Sequence, residues 1–131
     1  MIAATRVALL VGLLSFVTAN GLGFSIGLGW LPYSWRPAHA HLNLLGFVTL
    51  MIYGVAYHAV PRFSGVPFRR PGLALIQVLA HIVGTIGMVF SFGLSLGRGW
   101  FAAFGGLTWL MSFGFTVLIA EVLLTKRRQH R

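Results

Sequence analysis

The chain holds one acidic side chain, Glu121, among 131 residues, and it has no cysteine. Without cysteine there are no disulfides, no thiolate metal sites and no cysteine nucleophiles. A single carboxylate leaves no acid pair for general acid–base work, and neither a Ser/His/Asp set nor a phosphate-binding loop after a strand is present. Charge of either sign is scarce: 8% of residues, against about a quarter in soluble domains. So few charges cannot cover the surface of a water-soluble globule. Disorder is excluded as well, because 57% of the residues are hydrophobic and disordered chains lack such residues. The ten bases that give a net charge of +9 sit in short clusters between long apolar runs. That distribution belongs to membrane topology, with no nucleic-acid partner.

What remains is long apolar runs. A helix needs about 20 apolar residues to cross a bilayer, and four stretches meet that length. They run from about 7 to 31, 38 to 60, 73 to 96 and 100 to 125. The predicted fold is all-α, a single four-span membrane domain built as a four-helix bundle. Pro32 and Pro37 punctuate the first gap, and Pro61, Pro67 and Pro71 the second. Gly97-Arg98-Gly99 reads as a tight turn in the third. The first stretch is too long for a signal peptide and lacks a small-x-small cleavage site, so it is expected to be retained. Gly23 with Gly27, and Gly93 with Gly97, are small-xxx-small pairs that predict close helix contacts. The two halves show no internal repeat.

Basic residues set the expected orientation. Arg6, Arg62, Arg69, Arg70, Lys126, Arg127, Arg128 and Arg131 fall on one side, and only Arg36 and Arg98 on the other. The positive-inside rule then places both termini in the cytoplasm of a multi-pass inner-membrane protein. Trp30, Tyr33, Trp35 and Trp100 lie on the opposite side, as an interfacial aromatic belt would. The basic tail, with His130 solvated, suits anionic lipid headgroups.

Polar groups at membrane depth are costly and mark sites. The second span opens with His39-Ala40-His41-Leu42-Asn43 and closes with Tyr57-His58, the third carries Gln77 and His81, and the fourth carries Glu121. Two histidines two positions apart on a helix point about 200° from one another, so His39 and His41 do not share an ion. One faces the bundle, as a metal or haem ligand or as a histidine bonded to a loop carbonyl. Arg36 and Arg98 lie on the outer side, where they match either haem propionates or lipid headgroups. Counted along the helices, His81 lies about 15 Å from the cytoplasmic end and roughly 20 Å in depth from His41. That separation rules out joint ligation of one iron within a subunit. With Gln77, His81 forms a separate polar site, a second ligand set or an interhelical hydrogen bond. Glu121 is expected to pair with His58, Arg62 or Lys126, or to admit protons. His39, His41 and His58 also permit a copper-handling role, although Met1, Met51, Met88 and Met111 do not cluster as a copper path requires.

The stretch His39-Ala40-His41-Leu42-Asn43-Leu44-Leu45-Gly46, with Tyr53-Gly54 and Tyr57-His58-Ala59-Val60-Pro61, resembles the second transmembrane helix of the haem–copper oxidase catalytic subunit. The nitric oxide reductase branch is the most similar. The resemblance implies that His41 is an axial ligand of haem b near the outer face, with His39 the lesser candidate, and Arg36 and Arg98 near the propionates. It covers about 25 residues strongly and the four-span layout weakly. The family's subunit has about twelve helices in three arcs of four, whereas this chain has one such arc. It lacks the further histidine helices that bind the copper and the second haem, and Arg62 stands where the reductases tend to carry an acid. The resemblance therefore implies a haem protein for electron transfer or diatomic gas binding. It implies a redox partner and a homo-oligomer, a trimer before a dimer, with metal-binding positions at His41, His58 and His81. The rival readings are an accessory or assembly subunit of a respiratory oxidase, and the copper-handling protein.

Overall fold

A computed structural model describes residues 1–129, with side chains described as far as Thr125. The side chains of Lys126, Arg127 and Arg128, and the whole of His130 and Arg131, lie outside the described residues. So do the lipid-headgroup and solvation readings of the tail. The described residues are all-helical, and four helices are long and apolar enough to cross a membrane. They are α1 (Ala3–Gly27), α2 (Tyr33–Ser64), α3 (Pro71–Gly93) and α4 (Arg98–Gln129). Helices are the form such a sequence takes in lipid, because every backbone polar group is then paired within its own segment.

The helix ends differ from the sequence expectation for local reasons. Pro37 lies inside α2, in its first turns, where the missing N–H would have had no partner anyway. Pro61 also lies inside α2, near its end, and the helix stops only at Gly65 in the left-handed region, φ 68°. Neither proline belongs to a gap. The third turn spans the residues before Gly97, φ 89°, so Arg98 and Gly99 belong to α4. We call the end with the termini proximal and the end with Trp30 to Arg36 distal.

Two apolar clusters hold the helices together. The proximal one joins Ala4 and Ala8 of α1, Leu50, Tyr53 and Tyr57 of α2, Ala74 and Val78 of α3, and Leu118 of α4. The distal one joins Ala19, Ala38, Leu42 and Val89, flanked by Trp35 and Phe92. Gly84 and Gly87 let α3 lie directly on Thr108 and Phe104 of α4. Of the expected glycine pairs, Gly23 and Gly93 do sit under side chains of α2, but Gly27 and Gly97 face open space. α1 packs on α2 and α3, and α4 packs on α2 and α3, while α1 and α4 share no contact among the described residues. The four helices form an arc with open outer flanks.

Candidate cofactor site and buried polar cluster

The distal half of α2 is irregular. It starts with a 3-10 turn at Tyr33–Trp35, continues as α-helix over Arg36–His41, and then winds as π-helix over Leu42–Thr49 before the α-helix resumes at Leu50. π-Helical turns are rare and concentrate at functional sites. This one begins immediately after His41.

His39 and His41 point apart, as their spacing requires. The His39 Nδ1–H donates to the Ala19 carbonyl of α1 at 2.8 Å. A Cβ on Gly23 would come within 2.7 Å of its ring, so that glycine makes room for it. His39 is thus a packing residue between α1 and α2. The His41 Nδ1–H donates to the Pro37 carbonyl at 2.8 Å. A carbonyl can only accept, so the neutral ring carries its proton on Nδ1 and its lone pair on Nε2. No protein hydrogen bond reaches Nε2 among the described residues. The half-buried ring lies against Phe92 of α3, centroids 4.7 Å apart, and Phe92 in turn meets Phe101 of α4 at 5.3 Å.

The distal arginines do not converge on His41. Arg36 donates to the Tyr33 hydroxyl and lies over that ring, 5.2 Å from its centroid. With Ser34, Pro37 and Ala40 these residues line an open concavity of about 370 Å³. Positions five apart on an α-helix are turned by about 140°, which puts Arg36 on a different face from His41. Arg98 is exposed at the start of α4. Neither arginine is hydrogen-bonded to His41 among the described residues.

A buried polar cluster joins α2, α3 and α4. The Tyr57 hydroxyl donates to Gln77 Oε1 at 2.9 Å, and Gln77 Nε2 donates to the Met111 carbonyl at 3.0 Å. The Tyr53 hydroxyl donates to Ser112 Oγ at 3.0 Å, and Ser112 donates to the Thr108 carbonyl. His81, fully buried, donates from Nε2 to the Leu45 carbonyl at 3.2 Å, and its Nδ1 stands 3.4 Å from the Tyr53 hydroxyl. Gln77 and His81 therefore make interhelical hydrogen bonds. Tyr57 stands among the polar groups of the second span and Tyr53 in its motif, but the sequence marks neither as a partner of Gln77 or His81, and it does not mark Ser112. The signal available was spacing: Tyr53 and Tyr57, like Gln77 and His81, are four apart and share a face.

His81 also corrects the depth estimate. It touches Leu45, only four residues from His41, about 6 Å at helical rise. The difference in depth is therefore far below 20 Å. The error arose because α2 begins at Tyr33, which sinks His41 well below the distal end. Depth does not separate these histidines; their partners do.

At the proximal end Glu121 pairs with Arg70, 3.4 Å away, rather than with His58 or Arg62. The chain from Gly65 to Arg70 folds back so that Arg70 precedes α3 beside α4, whereas Arg62 remains on the last turn of α2. His58 is half-buried and makes no protein hydrogen bond among the described residues. No group of three or more His, Cys, Asp or Glu that could hold a metal ion occurs among the described residues. His41, His58 and His81 do not come together.

Haem b finds part of what it needs in these residues. A histidine whose Nδ1–H is held by a backbone carbonyl offers its Nε2 lone pair in a fixed orientation, the usual arrangement of a ligating imidazole. Phe92 and Phe101 supply one apolar wall, and the other side of His41 is open. An apolar cleft of about 410 Å³ between α1, α2 and α3 is lined by Ser15, Leu42, Gly46 and Thr85 among others, but by no histidine. The donor chemistry fits, and the enclosure is incomplete within one chain.

A cytochrome c oxidase subunit 1 from Thermus thermophilus is 34% identical to this chain over 93 residues, covering 63% of this chain and 86% of the Thermus protein. No family model matches the chain, and no solved structure matches it.

Proposed function

Since the chain belongs to the cytochrome c oxidase subunit 1 family, as a haem–copper oxidase-like multi-pass membrane protein, we propose that it binds haem b through His41. The observation that carries this is the His41 ring itself: Nδ1–H on the Pro37 carbonyl at 2.8 Å, Nε2 without a protein partner, one face against Phe92. Polar atoms left free at membrane depth are costly, and a ligand relieves that cost. Haem bound there would supply one-electron chemistry and a place for a diatomic gas such as nitric oxide or oxygen. His41 orients the group, Phe92 and Phe101 exclude water from one side, and Arg36 and Arg98 stand at the same end of the bundle for the propionates. Reaching them requires Arg36 to leave Tyr33.

The open side of His41 calls for a second surface. We assign it to further copies of this chain, a trimer of four-helix arcs before a dimer, since closed cyclic assembly is the common solution for identical chains. Both termini then lie in the cytoplasm, with the protein in the inner membrane and a redox partner delivering electrons. The second reading is an accessory subunit whose His41 faces a larger oxidase, and the same open side favours it. A reduced-minus-oxidised spectrum of the purified protein tests the proposal. The expected result is a Soret band that His41→Ala abolishes; its absence from the wild type, or its survival unchanged in His41→Ala, overturns haem ligation. Detergent-corrected light scattering on the same sample distinguishes a self-assembled ring from co-purification with a large partner.

A further inference from the structure

The π-helical stretch after His41 is held by side chains. In a regular helix a Ser or Thr hydroxyl bonds back to the carbonyl four residues earlier, and Thr18, Ser25, Thr108, Ser112, Thr116 and Thr125 all do so. Thr49 bonds instead to the carbonyl five residues earlier, Leu44, at 2.9 Å. The Leu50 amide, at the end of this stretch, bonds to the Phe47 carbonyl. The Nε2–H of His81 donates to the Leu45 carbonyl inside it at 3.2 Å. A side chain from α3 thus bonds a backbone carbonyl of the π turns.

The wide turns have a measurable consequence for phase. The buried positions of distal α2 are Ala38, Leu42, Gly46 and Leu50, four residues apart each time. Twelve residues of regular α-helix overshoot three full turns by about 120°, so an α-helical α2 would spread these four positions over that arc instead of aligning them. The proximal half is fixed by Tyr53 and Tyr57 in the core, and the distal half by His39 on the Ala19 carbonyl. The π turns keep both halves on their partners. α3 cannot move away from this contact, because Gly84 and Gly87 seat it directly on α4.

We infer that His81 is a positioning residue that locks the π register of α2 and thereby sets the direction in which His41 points. Where this concerns His41 as a ligand it rests on the haem proposal; the register itself does not. Removing the donor lets Leu45 recover an α-helical partner, and the distal half then turns by about 100°, one residue's worth. His41 leaves Phe92, and Ala38 and Leu42 leave their cluster. A glutamine at position 81 can place its amide nitrogen near the present Nε2 and keep the lock. An asparagine is polar but too short to reach Leu45.

The cysteine-free chain permits a direct test. A nitroxide attached to single cysteines introduced from residue 38 to residue 50 is scanned for oxygen accessibility in bilayers, in the wild-type background and in His81→Leu, His81→Asn and His81→Gln. The expected result is a four-residue period in wild type and His81→Gln. In His81→Leu and His81→Asn the period falls to about 3.6, with the distal maxima shifted by one residue. His81→Asn serves where His81→Leu does not fold. An unchanged period and phase in whichever of these two folds overturns the inference. The scan needs no haem, so loss of the haem proposal leaves it intact. If the wild type shows a Soret band, loss or shift of its axial-ligand signature in His81→Asn with retention in His81→Gln is the second expected result. An identical spectrum in all variants removes the link to His41.

Discussion

The bond from Tyr57 to Gln77 offers a sharp energetic test, because both groups are buried and each has one replaceable partner. The Tyr57 ring is 2% exposed and Gln77 4%. The phenol donates to Oε1 at 2.9 Å, and the amide nitrogen is already committed to the Met111 carbonyl. Tyr57→Phe leaves Oε1 without a donor, and Gln77→Leu leaves the phenol without an acceptor and also cuts the link to α4. Each orphaned group costs about 1–3 kcal/mol. An interhelical hydrogen bond in a membrane is itself worth only about 0.6 kcal/mol on average and up to about 1.7. The single substitutions are therefore expected to be dominated by the orphan they create. The double variant Tyr57→Phe/Gln77→Leu removes both orphans, so its cost falls short of the sum of the singles by about 1 kcal/mol or more. Reversible unfolding from mild detergent into SDS, followed by the fluorescence of the tryptophans, measures all four proteins. Strict additivity would refute the assigned bond, because two groups that do not touch have no coupling energy to lose.

Other positions give further expectations under the same unfolding assay. In Gly84→Ala the new Cβ lies 3.0 Å from the Phe104 carbonyl oxygen and 3.0 Å from the Thr108 amide, backbone atoms that cannot swing aside. A loss of about 1–3 kcal/mol is expected, whereas Gly106→Ala, with nothing within 4 Å, stays near neutral; equal effects would contradict the packing of α3 on α4. Thr85 is 2% exposed and its Oγ1 has no partner among the described residues, so Thr85→Val is expected to raise stability by roughly 1 kcal/mol, and a loss of that size would mean the hydroxyl has a bonded partner. The Arg70–Glu121 side chains are 58% and 32% exposed. Glu121→Gln should change stability by less than about 1 kcal/mol, and any effect should shrink as salt is added.

The four helices were legible because apolar length and spacing of charge are one-dimensional properties of the chain. Their ends were less so, because a proline speaks only to its own missing N–H. Pro37, in the first turns of α2, and Pro61, near its last, cost the helix little, and both were mistaken for breaks. The depth of His41 was misjudged with the start of α2. Glu121 was correctly read as an acid that needs a base, but the fold of residues 65–70 chose Arg70, and nothing local to the sequence marks that choice. Gln77 and His81 were visible as a polar pair on one face. Their pairing was not: Tyr53 and Tyr57 were noted on the second span, and Ser112 was not, but nothing local joins them to Gln77 and His81 until three helices bring them together. The π turns left one trace, the buried Ala38, Leu42, Gly46 and Leu50 at intervals of four. Leucines are so frequent around them that the interval could be recognised only once burial was known.

The two halves of α2 treat their polar groups in opposite ways, and that contrast bears on where a ligand belongs. In the proximal half each phenol meets an acceptor across a helix interface, and both nitrogens of His81 face groups of α2. Such pairing fixes the helices to one another. In the distal half His39 uses Nδ1 on α1, His41 uses Nδ1 on its own helix, and the His41 Nε2 lone pair is turned outward beside an aromatic wall. His58 also lacks a protein partner among the described residues, but it lies six residues from the proximal end of α2, about 9 Å at helical rise, within reach of interfacial water. His41 is eight residues from the distal end, about 12 Å in, where a free acceptor is harder to hydrate. Gln77 and His81 are thus committed to contacts between helices, whereas the His41 Nε2 is turned outward, on the side where the proposed ligand and the surface that carries it would be received.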